Sequence, residues 1–136
     1  MQIRLPLLLT IIFILGSIFL QFGYGQEDSL REKISYYKNN NDIENMLKTE
    51  VVLSRQLLFF SENLDAGIKY AKDVLKRAES YNDDFTQARI HHFLGYAYIN
   101  FNNDYAKGLK NYFKALEFYD KNENYHHKST LLLNLA

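Results

Sequence analysis

Apolar side chains recur at helical spacing and divide most of the chain into amphipathic segments separated by short turns rich in Asn and Asp. The segments run from Asp42 to Phe60, from Asn63 to about Ser80, from Asp84 to near Phe101, from Asp104 to about Lys121, and from Tyr125 onward. Asn63 and Asp104 are residue types that cap helix N-termini, and Asp84 followed by Gln87 is typical of a capping box. The pattern predicts an all-α fold of antiparallel helical hairpins.

A shorter helical pattern precedes these segments. Leu30, Ile34 and Tyr37 fall on one helix face, and Asp28 or Ser29 is placed to cap its start. A run of asparagines then ends the pattern. We predict an N-terminal capping helix at 26–41, because a solenoid needs a polar outer face on its terminal unit; the alternative is the second helix of a degenerate leading unit.

The central hairpins repeat with a 41-residue period. One period before Gly95 stands Ser54, and one period before Gly108 stands Gly67, so that small residues fall on small positions. Glycine within a helix costs about 1 kcal/mol against alanine, and such positions therefore predict close contacts between helices. Recurrence at a fixed period is typical of stacked repeats. The predicted repeats lie at about 42–82 and 83–123, with an incomplete third from 124.

The stretch from His91 to Phe118 resembles a tetratricopeptide repeat. The pattern of that family has a Trp followed by Leu-Gly and Tyr in the first helix, and small and aromatic residues in the second. His91 stands at the Trp position. The repeat-packing positions in the two repeats are held by Leu53, Ser54, Gly67, Leu94, Gly95, Tyr98, Gly108, Tyr112 and Ala115. The chain lacks Trp and the closing Pro, and both of its repeats are longer than the family's about 34 residues.

The resemblance implies that the first helix of each repeat lines a concave groove that binds a protein or peptide. The groove positions are Lys48, Val51, Arg55, Leu58 and Phe59 in the first repeat, and Arg89, His92, Tyr96, Ile99 and Asn100 in the second. The Lys and Asn with which some family members hold a peptide carboxylate are absent from the matching positions. We expect the partner to contact Arg55, Arg89, His92, Tyr96 and Asn100; ordinary solvent-exposed side chains are the alternative.

The first 25 residues are typical of an export signal peptide. Arg4 precedes an apolar run, and Gly23-Tyr24-Gly25 has the small-x-small pattern of a cleavage site. We predict cleavage after Gly25 and a periplasmic or extracellular location. The alternative is an uncleaved membrane anchor at residues 5–22, because the run approaches the about 18 apolar residues that suggest a spanning helix.

Composition excludes several classes of site. The chain has no cysteine, so disulfides, thiol catalysis and thiolate metal sites are excluded. After residue 25 it carries 15 Lys and Arg against 16 Asp and Glu, which gives no global attraction to nucleic acid. Lys107, Lys110 and Lys114 line one helix face, which we interpret as a solvated outer surface. We therefore expect no nucleic-acid partner, and a membrane partner only through an uncleaved N-terminal segment or a downstream helix.

Candidate chemistry is sparse. The histidines form two adjacent pairs, His91-His92 and His126-His127, whose members point about 100° apart on a helix and are poorly placed to share a metal. We expect His91 to pack at the Trp position and His92 to face the groove or solvent. No phosphate-binding loop or nucleophile motif is present. The sequence predicts no catalytic residues, no cofactor and no metal.

These observations predict a protein-interaction module and not an enzyme. Because the chain stops in mid-pattern at Ala136, we interpret it as an N-terminal fragment. Exported tetratricopeptide proteins similar to it often continue into a transmembrane helix and a histidine kinase or DNA-binding region. The first hypothesis is therefore the extracytoplasmic sensor region of a longer signalling protein, and the alternative is a stand-alone envelope scaffold.

Overall fold

The backbone is helical along almost all of its described length. A computed structural model describes residues 5–135, and side chains at residues 10, 11, 13, 25–124 and 126–135. The helices are α1 (Leu5–Asn39), α2 (Ile43–Phe59), α3 (Leu64–Ser80), α4 (Asp84–Asn100), α5 (Tyr105–Lys121) and α6 (Tyr125–Leu135). Residues 5–135 contain no strand, which confirms the predicted all-α fold.

Helix boundaries recur at the predicted interval. The starts of α2, α4 and α6 at Ile43, Asp84 and Tyr125 are separated by one period each, as are those of α3 and α5. Helices α2 to α5 each contain 17 residues. The 41-residue period is therefore a period of structure as well as of sequence.

Short polar side chains begin four of the helices. Asp42, Asn63, Asp83 and Asp104 each accept a hydrogen bond from the backbone N–H three residues later. The caps at Asn63 and Asp104 confirm the prediction. The start of α4 differs, because Asp83, and not Asp84, accepts from the Thr86 N–H at 2.7 Å. Asp84 instead lies in the first turn and pairs with Lys121 of α5 at 2.7 Å.

The turns that lead into α2, α4 and α6 share one backbone geometry. Asn41, Asn82 and Glu123 have φ angles of 55°, 54° and 52°, in the left-handed region. The N–H of the next residue then donates to a carbonyl five residues earlier, at 2.9 Å in all three turns. This is the bond that closes a helix in the Schellman motif. This shared turn geometry reverses the direction of the chain in the same way once per period.

The N-terminal helix is longer than the predicted capping helix. Helix α1 begins at Leu5, so Asp28 and Ser29 lie inside it and cap no helix start. Leu30, Ile34 and Tyr37 are half-buried, as their shared face predicts, and α1 packs against α2. The predicted cleavage site after Gly25 lies within α1, whereas Arg4 lies outside the described residues. No helix in the described part of the chain has the length and hydropathy of a membrane span.

Consecutive helices pack against one another, and α2 also packs against α4. A first cluster of buried residues joins α2, α3 and α4 and contains Val51, Leu58, Ile68, Ala71, Val74, Ile90, Phe93, Leu94, Ala97 and Tyr98. A second joins α4, α5 and α6 and contains Ala88, Tyr112, Ala115, Tyr119 and Leu131. Helix α4 therefore lies at the centre of the stack, with buried residues on several faces.

Glycines allow the two helices of each hairpin to approach closely. A Cβ at Gly95 would lie 2.5 Å from Cδ1 of Tyr112, and one at Gly108 would meet the Ile99 side chain and lie 3.0 Å from the Gly95 carbonyl oxygen. In the first hairpin a Cβ at Gly67 would lie 2.6 Å from the backbone oxygen of Leu57. The predicted contact between Gly95 and Gly108 is thus present.

Gly67→Ala should destabilise the protein by about 1–3 kcal/mol, because the added methyl group meets backbone that no rotamer change can move. The matched control is Gly25→Ala in the full chain, since a Cβ there has no neighbouring atom within 4 Å. The control should raise stability slightly through helix propensity. Urea unfolding followed by circular dichroism measures both, and equal midpoints would contradict the close contact at Gly67.

Candidate functional site

A pocket of about 250 Å³ opens between α2, α4 and α6. It brings together four of the five predicted groove residues, Arg55, Arg89, His92 and Tyr96, and adds four others. The added lining residues are Phe59, Phe93, Thr130 and Asn134. Four of the predicted groove residues therefore line one pocket on α2 and α4, and α6 supplies a further wall.

The repeat period explains which residues line this pocket. Tyr96 follows Arg55 by one full period, and Thr130 and Asn134 follow Arg89 and Phe93 by the same interval. Helix α6 was predicted, but these two residues were not assigned to the groove. The period alone indicates them, because equivalent positions on stacked helices face the same side.

Two arginines give the pocket its charge. Arg55 is exposed and Arg89 is half-buried, and among the described residues no carboxylate lies within 4.0 Å of either guanidinium. The Arg89 guanidinium carbon lies 4.7 Å from the centroid of the Phe93 ring. Burial lowers the pKa of Arg89, the neighbouring Tyr119 acts against this shift, and the charge of Arg55 adds to it. An anionic group in this pocket would relieve that repulsion and form charge-assisted hydrogen bonds.

His92 contributes a hydrogen-bonding group and not a charge. Its Nε2 lies 3.0 Å from the side-chain nitrogen of Asn134, and its Nδ1 lies 3.5 Å from the hydroxyl of Tyr119. Burial, with the charges of Arg89 and His127, lowers the pKa of His92 to about 4. The residue is 4% exposed, so it does not face solvent. It lines the pocket from beneath, because α5 and α6 cover it.

His91 lies buried on α4 beside α5. Its Nδ1 is 2.9 Å from Oδ1 of Asn111, and its ring stacks on Phe118 with 14° between the planes. Burial lowers the pKa of His91. The packed environment agrees with the expectation that this histidine occupies the position of the family's Trp.

Aromatic rings form one edge of the pocket. The Phe59 ring centroid lies 5.7 Å from that of Phe93 and 5.2 Å from that of Tyr96. Phe101 extends the cluster, with its centroid 5.9 Å from that of Tyr96, and it is exposed. This edge offers a flat apolar surface beside the two guanidinium groups, which suits a ligand with both acidic and apolar groups.

Other predicted groove residues lie elsewhere. Asn100 does not line the pocket; its side-chain amide donates to the Tyr96 carbonyl at 3.0 Å. Val51 and Leu58 belong to the buried cluster, because α4 covers that face of α2. Lys48 pairs with Glu44 on the surface of α2. The groove positions implied by the resemblance are therefore divided between the pocket, the buried cluster and the outer surface.

The repeat-packing residues lie in the interior. Leu53, Ser54, Leu94, Tyr98, Tyr112 and Ala115 are buried, together with the three glycines. Ser54 stands one period before Gly95. Its hydroxyl donates to the Glu50 carbonyl at 2.7 Å, so this buried polar side chain has a hydrogen-bond partner.

Among the described residues no three His, Cys, Asp or Glu side chains come together in a way that would hold a metal. Comparisons with protein-family models, with curated proteins and with solved structures give no match for this chain.

Proposed function

We propose that this helical repeat is an interaction module that binds an extended peptide with acidic and apolar side chains across Arg55, Arg89 and Tyr96. One observation carries the proposal: two arginines without a carboxylate partner among the described residues line the same pocket as an aromatic edge. Arginine pairs with carboxylates through a planar fork of donors, and tyrosine offers an apolar face with a polar tip.

The pocket suits side chains of a peptide better than a whole small molecule. Its about 250 Å³ lies below the about 300–1,000 Å³ that is typical of small-molecule sites. Its walls come from three helices whose starts are one repeat period apart, so equivalent side chains recur along the stack. An extended peptide would contact the equivalent side chains of each repeat, whereas a compact ligand would contact those of only one repeat.

The tetratricopeptide family remains our proposal for the origin of this fold. It is supported by the helical hairpins of fixed period and by the small residues at their contacts. The family's members bind partners, so the proposed activity is binding and not catalysis. The missing Trp and Pro and the longer period are departures from the family pattern.

We also propose that the chain acts outside the cytoplasm, with cleavage after Gly25. The support is the apolar N-terminal run and its small-x-small end. The chain would form the sensor region of a longer signalling protein; the alternative is an envelope scaffold.

Mass spectrometry of the protein from cells should find Gln26 at the N-terminus. A retained Met1 in the membrane fraction would favour an anchor. The downstream reading frame distinguishes a signalling protein from a scaffold.

The peptide proposal is tested by charge reversal at Arg55. The ligands are a library of synthetic peptides that alternate Asp or Glu with Leu or Phe, and a matched library with Lys in place of the acids. The full chain should bind acidic members, and Arg55→Glu should weaken binding by about tenfold or more, because it replaces an attractive contact with a repulsive one.

The control for that experiment is Lys48→Glu. Lys48 lies on the same helix and is exposed, but it does not line the pocket. It changes net charge by the same amount and should leave affinity within about threefold, since exposed charges are screened by salt. Equal losses in the two variants, or equal binding of the acidic and basic libraries, would contradict the proposed groove.

A further inference from the structure

A second pocket, of about 300 Å³, lies between α3 and α5 and uses α4 as its floor. Its lining residues are Lys72, Leu75, Leu94, Tyr98, Lys107, Lys110, Asn111 and Lys114. It shares no lining residue with the pocket between α2, α4 and α6, which we call the arginine pocket because Arg55 and Arg89 line it. We call it the lysine pocket, because four of its eight lining residues are lysines.

The lysines converge from two helices. Lys107, Lys110 and Lys114 follow one another at intervals of three and four residues, which places them on one face of α5. Lys72 approaches from α3 on the other side. The ammonium groups of Lys72 and Lys107 lie 5.9 Å and 5.7 Å from the centroid of the Tyr98 ring. Both ammonium groups therefore lie within cation–π distance of this buried ring.

Positive charge in this pocket is only partly neutralised. Lys107 pairs with Asp104 at 2.6 Å. Within the described part of the chain, no carboxylate lies within 4.0 Å of Lys72, Lys110 or Lys114. The floor is apolar, since Leu94 and Tyr98 are buried. The four lysines are exposed at the rim above this floor, and a multiply charged anion bound there would neutralise several of them at once.

We propose that the lysine pocket binds a phosphate group. A phosphate carries more than one negative charge on a compact set of oxygens, which suits a pocket lined by several lysines. A single peptide carboxylate would satisfy fewer of them. The net charge of the whole chain is zero, so attraction to the pocket is local and does not make the protein a general polyanion binder.

Inorganic pyrophosphate is the probe, and isothermal titration calorimetry with the full chain is the measurement. Saturable binding is expected, and Lys72→Gln/Lys110→Gln should raise the Kd by about tenfold or more, because charge-assisted hydrogen bonds are lost from both walls. The matched control is Lys69→Gln/Lys76→Gln, which removes the same charge from exposed lysines on α3 outside the pocket. The control should retain the wild-type Kd within about threefold.

Vesicles distinguish the source of the phosphate. Vesicles of phosphatidylcholine with and without phosphatidylglycerol are sedimented with the full chain, with pyrophosphate present or absent. Binding that requires phosphatidylglycerol and is displaced by pyrophosphate identifies a lipid headgroup; pyrophosphate binding without vesicle binding identifies a soluble phosphate compound. Absence of saturable pyrophosphate binding, or equal weakening by the pocket and control variants, overturns the proposal.

Discussion

Replacing Arg77 with Met should lower the free energy of unfolding by about 2–4 kcal/mol, the largest effect of a single substitution that we expect. The Glu50 side chain is 5% exposed on α2, and both of its oxygens bond to Arg77 of α3, at 2.7 Å and 3.1 Å. Burial and the charge of Glu50 raise the pKa of the adjacent Tyr70 to about 12, so that tyrosine stays neutral. Without Arg77, the Glu50 carboxylate would remain buried and unpaired.

The matched control is Lys48→Met. Lys48 and Glu44 pair at 2.6 Å on the same helix, but their side chains are 59% and 74% exposed. Exposed pairs contribute little to stability because water and salt screen them, so this loss should be small. The double variant Glu50→Met/Arg77→Met should recover most of the stability, because it removes the buried charge together with its partner. Equal destabilisation by Arg77→Met and Lys48→Met would contradict the buried pair.

Acid should destabilise the protein through His92. The pKa of this histidine is about 4 when folded, below the about 6.5 of an unfolded chain. Between these two values the unfolded state binds more protons, so stability falls as the pH is lowered from about 6.5 to about 4. The resulting loss of folding stability is about 3 kcal/mol at a pH of about 4. At pH 7 and above this histidine causes no loss.

The groups that face His92 identify the cause. Arg89 of α4 and His127 of α6 place positive charge beside the ring, and Tyr119 of α5 contributes to its burial. His92→Gln keeps a polar side chain but cannot be protonated, so its stability should decline less between pH 7 and pH 4. Urea unfolding at a series of pH values measures the difference.

His126→Gln is the control for the acid effect. His126 is the exposed neighbour of His127, and its removal should leave the wild-type decline in place. Parallel pH profiles for the wild type and His92→Gln would show that the ring is accessible to water and protons when folded. That result would contradict the burial of His92 beneath the arginine pocket.

Much of the local structure follows from the sequence. Asn63 and Asp104 cap the helices they were expected to cap, because a short polar side chain before an apolar periodic run satisfies free N–H groups. At the third cap, the prediction of Asp84 where Asp83 is observed is an error of one residue. Both aspartates precede the apolar periodic residues of α4, and only the backbone angles show which aspartate lies outside the helix.

The start of α1 and the environment of His92 were less predictable. Asp28 and Ser29 are good caps, yet the helix passes through both residues, because nothing upstream of them breaks it. His92 stands at a groove position that the resemblance implies, but α6 places the Asn134 side chain 3.0 Å from its Nε2. A single helix pattern cannot show which face a later helix will cover.

The sequence by itself determined the all-α fold and its 41-residue period, because repeated small and apolar positions specify which residues meet within each hairpin. Only the tertiary structure decided which charged residues line each pocket. Lys107, Lys110 and Lys114 are exposed, as their interpretation as a solvated face predicts, and packing of α3 adds Lys72 to the same pocket. Packing of α2, α4 and α6 brings Arg55 and Arg89 to one pocket, whereas Arg77 pairs with Glu50 elsewhere. Charges on separate helices combine into a site only when packing sets the distances between them, and no one-dimensional pattern contains those distances.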